Sequence, residues 1–448
     1  MIALAKSNSV SPARLAAFEI LRRVEEGAYA TVLLASKQEK LKSPDRALCH
    51  ELVMGVLRQQ LWLDRLSEHY AGRKVAELDT AVRVVLRLGL YQLRFLSRVP
   101  ASAAVNESVK LVHLARLRSA SGLVNAVLRR ATREPEVDPT NNISDPIERL
   151  AVTTSHPMWL IERWTRALGV AEAEAFARAN NEPAPVVFRV VNNRARATEV
   201  CERLRESGAE LVPSKIVSAA WRITGAWTLL AELAAEGQVY LQDEASQLVA
   251  EMLEVLPSHR VLDLCAAPGS KTTQIADLAL DSAKIVASDL HQHRLRTVVS
   301  SAKMHGLTSI HCLALDGLQP LPFGEGAFDR VLVDAPCSGT GTLRRNPEIR
   351  WRISPADIED LSRRQKQLLL NAARVVKPGG RLIYSTCSVE PDENEDVVQA
   401  FLENNRTFRL GQLALNQSLR TSPGMARTWP QRDGTDGFFI CALERKGE

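Results

Sequence analysis

Nowhere in the 448 residues is there an apolar run near the roughly 20 residues that a membrane span needs. The opening MIALAKSNSVSPARLAAFEI also lacks the hydrophobic core of a secretory signal. A cytoplasmic protein without a membrane partner is expected. Cysteine is scattered: the seven residues Cys49, Cys201, Cys265, Cys312, Cys337, Cys387 and Cys441 form no Cys-x-x-Cys pair and have no histidine at zinc-ligand spacing. An odd, unpatterned set argues against a disulfide framework and against a zinc site, so reduced thiols and no metal are expected. The dinucleotide fingerprint G-x-G-x-x-G is missing. Gly269-Ser270-Lys271-Thr272 lacks the earlier glycine of a phosphate loop and has Ser270 inserted before the lysine, which excludes nucleoside triphosphate hydrolysis of that type. No internal repeat or low-complexity tract is present.

What remains is ordinary globular material, 45% hydrophobic and 24% charged, long enough for two or three domains. The net charge of +5 is unevenly spread. Residues 1–133 hold 22 Lys and Arg against 11 Asp and Glu, an excess of +11 that leaves −6 for the rest. A basic segment of this kind suits a polyanion such as nucleic acid, although solvated basic helix faces have the same composition.

Apolar residues recur at three- and four-residue spacing in ARLAAFEILRRV, ALCHELVMGVLRQQLWLDRL, DTAVRVVLRLGLYQLRFL and SASGLVNAVLRRATR, which predicts an all-helical domain over 1–133. REPEVDPTNNISDP has no periodicity and reads as a linker, 134–146. HPMWLIERWTRAL and AEAEAFARANNE read as helices, PVVFRVVN as a strand and TEVCERLRESG as a helix, with short strands around SAAWRITG and GQVYLQD. They predict a small α/β unit over 147–235. In 236–448 the β-rich runs VLDLCA, KIVASD, SIHCLALD, DRVLVDA, RLIYSTC and FFICALE alternate with helical stretches, the pattern of a doubly wound, Rossmann-like α/β domain.

The first of these strands leads into Cys265-Ala266-Ala267-Pro268-Gly269-Ser270-Lys271 and a helix, and small residues there let a ligand approach the backbone near a helix N-terminus. Asp289, twenty residues after Gly269, closes the next strand, where a carboxylate can accept from both hydroxyls of a ribose. Asp316 closes the third strand and Asp334 the fourth. Carboxyl ends of strands are where open α/β sheets bind ligands, and a turn carrying Pro268 suits a nucleoside without a pyrophosphate.

Two cysteines also follow strands directly, Cys337 in DRVLVDAPCSGTG and Cys387 in RLIYSTCSVEPDENE. In the usual strand order 3-2-1-4-5 these strands are neighbours, about 4.8 Å apart, so both thiols face one crevice. Carbon 5 of cytosine is too weak a nucleophile to take a methyl group unaided. Addition of a thiolate to carbon 6 turns the ring into an enamine that can. Asp334 can contact the ring nitrogen, and Cys337 can assist release of the adduct. The remaining cysteines, Cys49, Cys201, Cys312 and Cys441, read as small buried hydrophobes, and Cys265 matters through its backbone.

CAAPGSK at 265–271, DAPCSGTG at 334–341 and YSTCS at 384–388 together resemble the signature motifs of the RNA 5-methylcytosine methyltransferases of the NOL/NOP/Sun family. The resemblance implies S-adenosyl-L-methionine as cofactor, held by Cys265 to Lys271, Asp289, Asp316 and Asp334, with Arg294 in addition. It also orders the thiols: Cys387 as covalent nucleophile, Cys337 as the residue that helps break the adduct. LQDEAS at 241–246 and DGTDGFF at 433–439 resemble flanking motifs, with Ser270 where many relatives have Gly and Asp433 where some have His. VPASAAVNESVKLV at 99–112 and GLVNAVLRR at 122–130 resemble a NusB-type RNA-binding domain. That pairing implies the bacterial branch that methylates a cytosine of 16S ribosomal RNA, acting on the RNA or a small-subunit assembly intermediate, with a monomer expected. The rival readings are a cytosine in another RNA, a DNA cytosine methylase, methylation of a nitrogen or hydroxyl, and a non-catalytic RNA-binding assembly factor. The second crevice cysteine is what a DNA methylase, with its Pro-Cys nucleophile at the place of Cys337, does not require.

Overall fold

A computed structural model of the chain describes residues 10–38 and 40–447. They fall into two compact units, Met1–Pro183 with Leu343–Arg352, and Ala184–Thr342 with Ile353–Glu448.

The first unit is helical. Helices Pro12–Glu25, Ala30–Gln38, Ser43–Arg58, Gln60–Ala71, Thr80–Phe95, Ala101–Leu114 and Ser121–Arg133 enclose one apolar core. Thr80–Phe95 runs through its centre, started by the Asp79 carboxylate accepting from the Ala81 amide at 2.8 Å. Gly55 lets the Tyr91 ring lie against helix Ser43–Arg58, because a Cβ there would overlap the ring. Arg87, 5% exposed, donates to both oxygens of Asp64 at 2.6 and 2.8 Å and to Glu25 at 2.6 Å, so a buried cation is matched by two carboxylates.

Residues 134–145 contain neither helix nor strand. The compact division nevertheless comes later than this stretch, at 183/184. Helices Pro146–Thr154, Met158–Leu168 and Val170–Ala179 are grouped with the helical unit rather than with the α/β unit expected over 147–235. The reason is their bonding: Ser155 Oγ accepts from the Leu61 amide at 2.8 Å, and Glu148 pairs with Arg65 at 3.2 Å. The excursion 343–352 joins the same unit through Arg350, fully buried, which donates to the Ser155 carbonyl and to Asn181 Oδ1, both at 2.9 Å.

The second unit holds two sheets. Strands β1 Val186–Val190, β2 Glu210–Pro213, β3 Ala220–Thr224 and β4 Val239–Leu241 form an antiparallel sheet in the order β2-β3-β1-β4, so this small sheet reaches past residue 235. Buried Arg189 on β1 donates to Gln242 and to Thr273 of helix Ser270–Leu278, both at 3.1 Å, which fixes the small sheet to its larger neighbour. That neighbour contains β5 Arg260–Asp263, β6 Lys284–Asp289, β7 Ile310–Ala314, β8 Phe328–Asp334 and β9 Val376–Thr386, all parallel. It continues through β10 Phe408–Leu410, β11 Arg420–Ser422, β12 Met425–Arg427 and β13 Phe439–Arg445, with β13 antiparallel to β9. The order is β11-β12-β13-β9-β8-β5-β6-β7, with β10 paired to β13. The parallel part is thus the expected 3-2-1-4-5, and apolar clusters cover both faces. Cys312 is exposed on the edge strand β7, contrary to its reading as a buried hydrophobe, because the outer end of the sheet leaves that face uncovered. Cys49, Cys201 and Cys441 are buried.

Candidate active site

The turn after β5 ends at Gly269, with φ of +109°, where an added Cβ would lie 3.1 Å from the Val298 Cα. Only glycine combines that backbone with so close a helix, and it lets the turn enter helix Ser270–Leu278. Cys265, Ala266, Ala267, Pro268, Gly269, Ser270 and Lys271 therefore lie in one bend between β5 and this helix. The Cys265 thiol is held well above its ordinary pKa, first by burial and then by the carboxylates of Asp263, Asp334 and Asp289. A sulfur so disfavoured as thiolate agrees with a backbone role.

Asp289 is the last residue of β6. Its Oδ1 accepts from the His291 amide at 3.0 Å and its Oδ2 pairs with Arg294 at 3.3 Å. Arg294 also donates to the Ala267 carbonyl at 3.0 Å, so this guanidinium joins the second strand's acid to the bend after the first. Asp316 stands two residues beyond the end of β7, not on the strand, and its Oδ1 accepts from the Leu318 amide at 2.9 Å, shaping the following loop. The Leu315 amide donates to the Asp289 carbonyl at 3.2 Å, which keeps that loop beside the β6 end.

Asp334 is the last residue of β8. Lys271 Nζ donates to its Oδ2 at 2.7 Å and Ser385 Oγ to its Oδ1 at 2.8 Å. Burial lowers the Lys271 pKa, but Asp334 outweighs it and holds the ammonium above the usual lysine range. The ammonium also lies 5.1 Å over the Phe438 ring.

The two thiols meet. Cys337 and Cys387 Sγ are 3.3 Å apart and both residues are free cysteines. The hydrogen bond with Cys387, then burial, then the Cys387 and Glu393 charges, raise the Cys337 thiol well above its ordinary pKa, so it stays protonated at neutral pH. Around the pair the backbone is tight: the Gly341 amide donates to the Cys387 carbonyl at 2.9 Å and the Gly437 amide to the Gly341 carbonyl at 2.8 Å, leaving no room for a side chain at Gly341.

Two acids here were not singled out from the sequence. Asp263 closes β5 and is 1% exposed; its Oδ2 accepts from Thr272 Oγ1 at 2.7 Å, while Oδ1 has no hydrogen-bond partner among the described residues. Burial pushes its pKa up to about 7. Its strand-end position, one strand before Asp289, was the available signal. Glu393 is fully buried beneath the thiols, and nothing in PDENE distinguishes it from an acid complementing a helix N-terminus. Chemically, the bend, Asp263 with its unpartnered oxygen, and Asp289 make a donor and acceptor set that fits a nucleoside bearing an amino group. Among the described residues no group of three or more His, Cys, Asp or Glu is arranged to hold a metal ion, and no helix is long and apolar enough to cross a membrane.

Three family models match consecutive parts of the chain: the NusB family at residues 11–133, the RsmF/B-like ferredoxin-like domain at 156–229, and the 16S rRNA methyltransferase RsmB/F at 250–444. The chain is 35% identical over 441 residues to the probable ribosomal RNA small subunit methyltransferase B of Bacillus subtilis, covering 96% of this chain and 98% of that one. It is 38% identical over 445 residues to the protein of the same description from Synechocystis, covering 97% and 99%. The crystal structure of PH0851 superposes with a TM-score of 0.86 at 30% identity, covering 98% of this chain and 99% of that one. With NusB, ferredoxin-like and methyltransferase models matched in turn along its length, and relatives aligned nearly end to end, the chain belongs to the family of small-subunit ribosomal RNA methyltransferases described as RsmB/F.

Proposed function

We propose that the protein transfers a methyl group from S-adenosyl-L-methionine to carbon 5 of a cytosine in 16S ribosomal RNA, through a covalent adduct with Cys387. The observation that carries this reading is the 3.3 Å approach of Cys337 to Cys387 at the ends of adjacent strands, beside the Lys271–Asp334 pair. Methylation of a nitrogen or a hydroxyl would leave both thiols without a task.

The bend 265–271, Asp263, Asp289 and Arg294 hold the cofactor, with Asp316 shaping the loop beside it. When bound, the cofactor supplies a sulfonium-borne methyl group. Cys387 adds through sulfur to carbon 6 of the base, which breaks the 5,6 double bond and makes carbon 5 nucleophilic. Asp334, steadied by Lys271 and Ser385, contacts the ring nitrogen on which charge builds up. Release requires loss of the carbon 5 proton and cleavage of the carbon–sulfur bond. Cys337, a protonated thiol beside Cys387, gives its proton to the departing sulfur and takes up the carbon 5 proton, so that it ends as it began. A base must leave its stack to reach the thiols, which favours a loop or single strand as the site, and the basic N-terminal helices contribute the sequence-independent part of RNA affinity.

Incubation with unmodified small-subunit RNA and the methyl-labelled cofactor, followed by nucleoside analysis, tests the reading. Label in 5-methylcytidine is expected; label on another atom or another nucleoside contradicts it.

A further inference from the structure

Cys387 stands one residue beyond β9, and its position is fixed by the sheet: Thr386 is in register with Phe439 and Ser385 with Ile440 of β13. Cys337 is different. It lies three residues beyond Asp334, the end of β8, in a segment whose last bond to β9 is that of the Ala335 amide to the Ser385 carbonyl, two residues before the thiol. Something other than the ladder must hold it against Cys387.

At its ends the segment is tied to β9 and the residues after it: the Ala335 amide donates to the Ser385 carbonyl at 2.8 Å, and the Gly341 amide to the Cys387 carbonyl at 2.9 Å. Next to the sulfurs the bonds converge on one carboxylate. Glu393 Oε1 accepts from the Ser338 amide at 2.9 Å and from Gln365 Nε2 at 3.0 Å; its Oε2 accepts from the hydroxyls of Ser338 and Ser388, both at 2.5 Å. Ser338 follows Cys337 and Ser388 follows Cys387, so one side chain ties together the residues next to the two sulfurs. Gln365 also donates to the Pro336 carbonyl at 2.8 Å, reaching the segment from the other side of Cys337. The backbone of Glu393 is itself anchored, since the Tyr384 hydroxyl donates to its main-chain carbonyl at 2.6 Å. Four donors saturate both oxygens. Placing a carboxylate at 0% exposure on neutral donors alone is costly in folding free energy, and a packed apolar side chain would hold the core more cheaply. What an apolar residue could not do is fix the register of two loop tips by directed bonds.

We infer that Glu393 is a positioning residue that sets Cys337 against Cys387 and thereby governs release of the RNA adduct. The inference rests on the covalent reading above. The negative charge of Glu393 is also one of the influences that keep Cys337 a protonated thiol, in agreement with its part in release.

The test measures formation and decay of the protein–RNA adduct in single turnovers for the wild type, Cys337→Ala, Glu393→Gln, Glu393→Ala and Ser338→Ala, each after cofactor titration shows a folded site. In Glu393→Gln the adduct is expected to form at close to the wild-type rate and to decay on the order of 10²-fold more slowly, approaching Cys337→Ala. Ser338→Ala should slow decay less. If Glu393→Ala does not bind cofactor, Glu393→Gln and Ser338→Ala decide. Wild-type decay in Glu393→Gln while Cys337→Ala still traps RNA overturns the inference and leaves the covalent reading intact. An equal loss of formation and decay overturns it as well, because a loosened core does not select one step. Absence of trapping in Cys337→Ala removes the covalent reading and this inference together.

Discussion

The sulfurs of Cys337 and Cys387 stand 3.3 Å apart although fifty residues separate them in the chain. Parallel pairing of β8 with β9 produces this approach: Asp334 is in register with Ser385, and each cysteine follows a few residues later. Strand order accounts for the meeting of the two elements, and the two loop tips beyond it are joined by backbone bonds and by the buried Glu393 network.

Asp263 gives the unfolding equilibrium a pH dependence of known sign. Its folded pKa, about 7, lies above the ordinary carboxylate value of 3.8, so the native state binds the extra proton between those limits. The associated stability is fully present below about pH 4 and is lost as pH rises through 7. Asp263→Asn should remove this decline, a difference of up to about 4 kcal/mol between pH 4 and pH 8. Denaturant titrations of both proteins at several pH values check it; parallel curves would contradict the assignment.

Gly269→Ala should destabilise the protein by about 1–3 kcal/mol, since its φ of +109° and the nearby Val298 backbone both oppose a Cβ. Cofactor affinity should fall with it, because the bend that holds the nucleoside has to move. Calorimetric titration with S-adenosyl-L-methionine measures the second effect, and unchanged affinity would mean that the ligand does not use this bend.

Arg87→Leu leaves the Asp64 carboxylate without its cation and Glu25 paired with Arg83 alone. Breaking such a buried set costs about 3–5 kcal/mol. Thermal unfolding of the variant should show the helical unit melting at a lower temperature, and an unaltered profile would show that the network contributes little.

Much of this was legible in the sequence for identifiable reasons. Strand–helix alternation after residue 260 predicts a doubly wound sheet, and its usual order puts the ends bearing Cys337 and Cys387 side by side. Asp289 and Asp334 terminate strands as read. Asp316 does not, because β7 stops at Ala314 and the residue serves the loop instead. The grouping of helices Pro146–Thr154 to Val170–Ala179 with the N-terminal helices was not legible: a polar linker in sequence says nothing about which side the next helices pack on. The excursion 343–352 was missed for a related reason, since its anchor, Arg350, resembles any exposed arginine until its buried partners are known. Glu393 was hidden among the neighbouring acids of PDENED.

Arg116, Arg118, Arg129 and Arg133 are exposed on the helical unit. Replacing all four by Ala should weaken RNA binding and flatten its dependence on salt. For each phosphate that is no longer neutralised, the logarithmic slope should fall by about 0.9 on a duplex and about 0.7 on a single strand. Cofactor affinity should not change. Equal RNA affinity at several salt concentrations would place the RNA elsewhere.

The most direct test of the central claim compares wild type and Cys387→Ala for transfer of labelled methyl to unmodified small-subunit ribosomal RNA, with cofactor binding measured in parallel. The account predicts labelled 5-methylcytidine from the wild type, none from Cys387→Ala, and similar cofactor affinity in both. Turnover by Cys387→Ala would contradict a covalent mechanism through that residue.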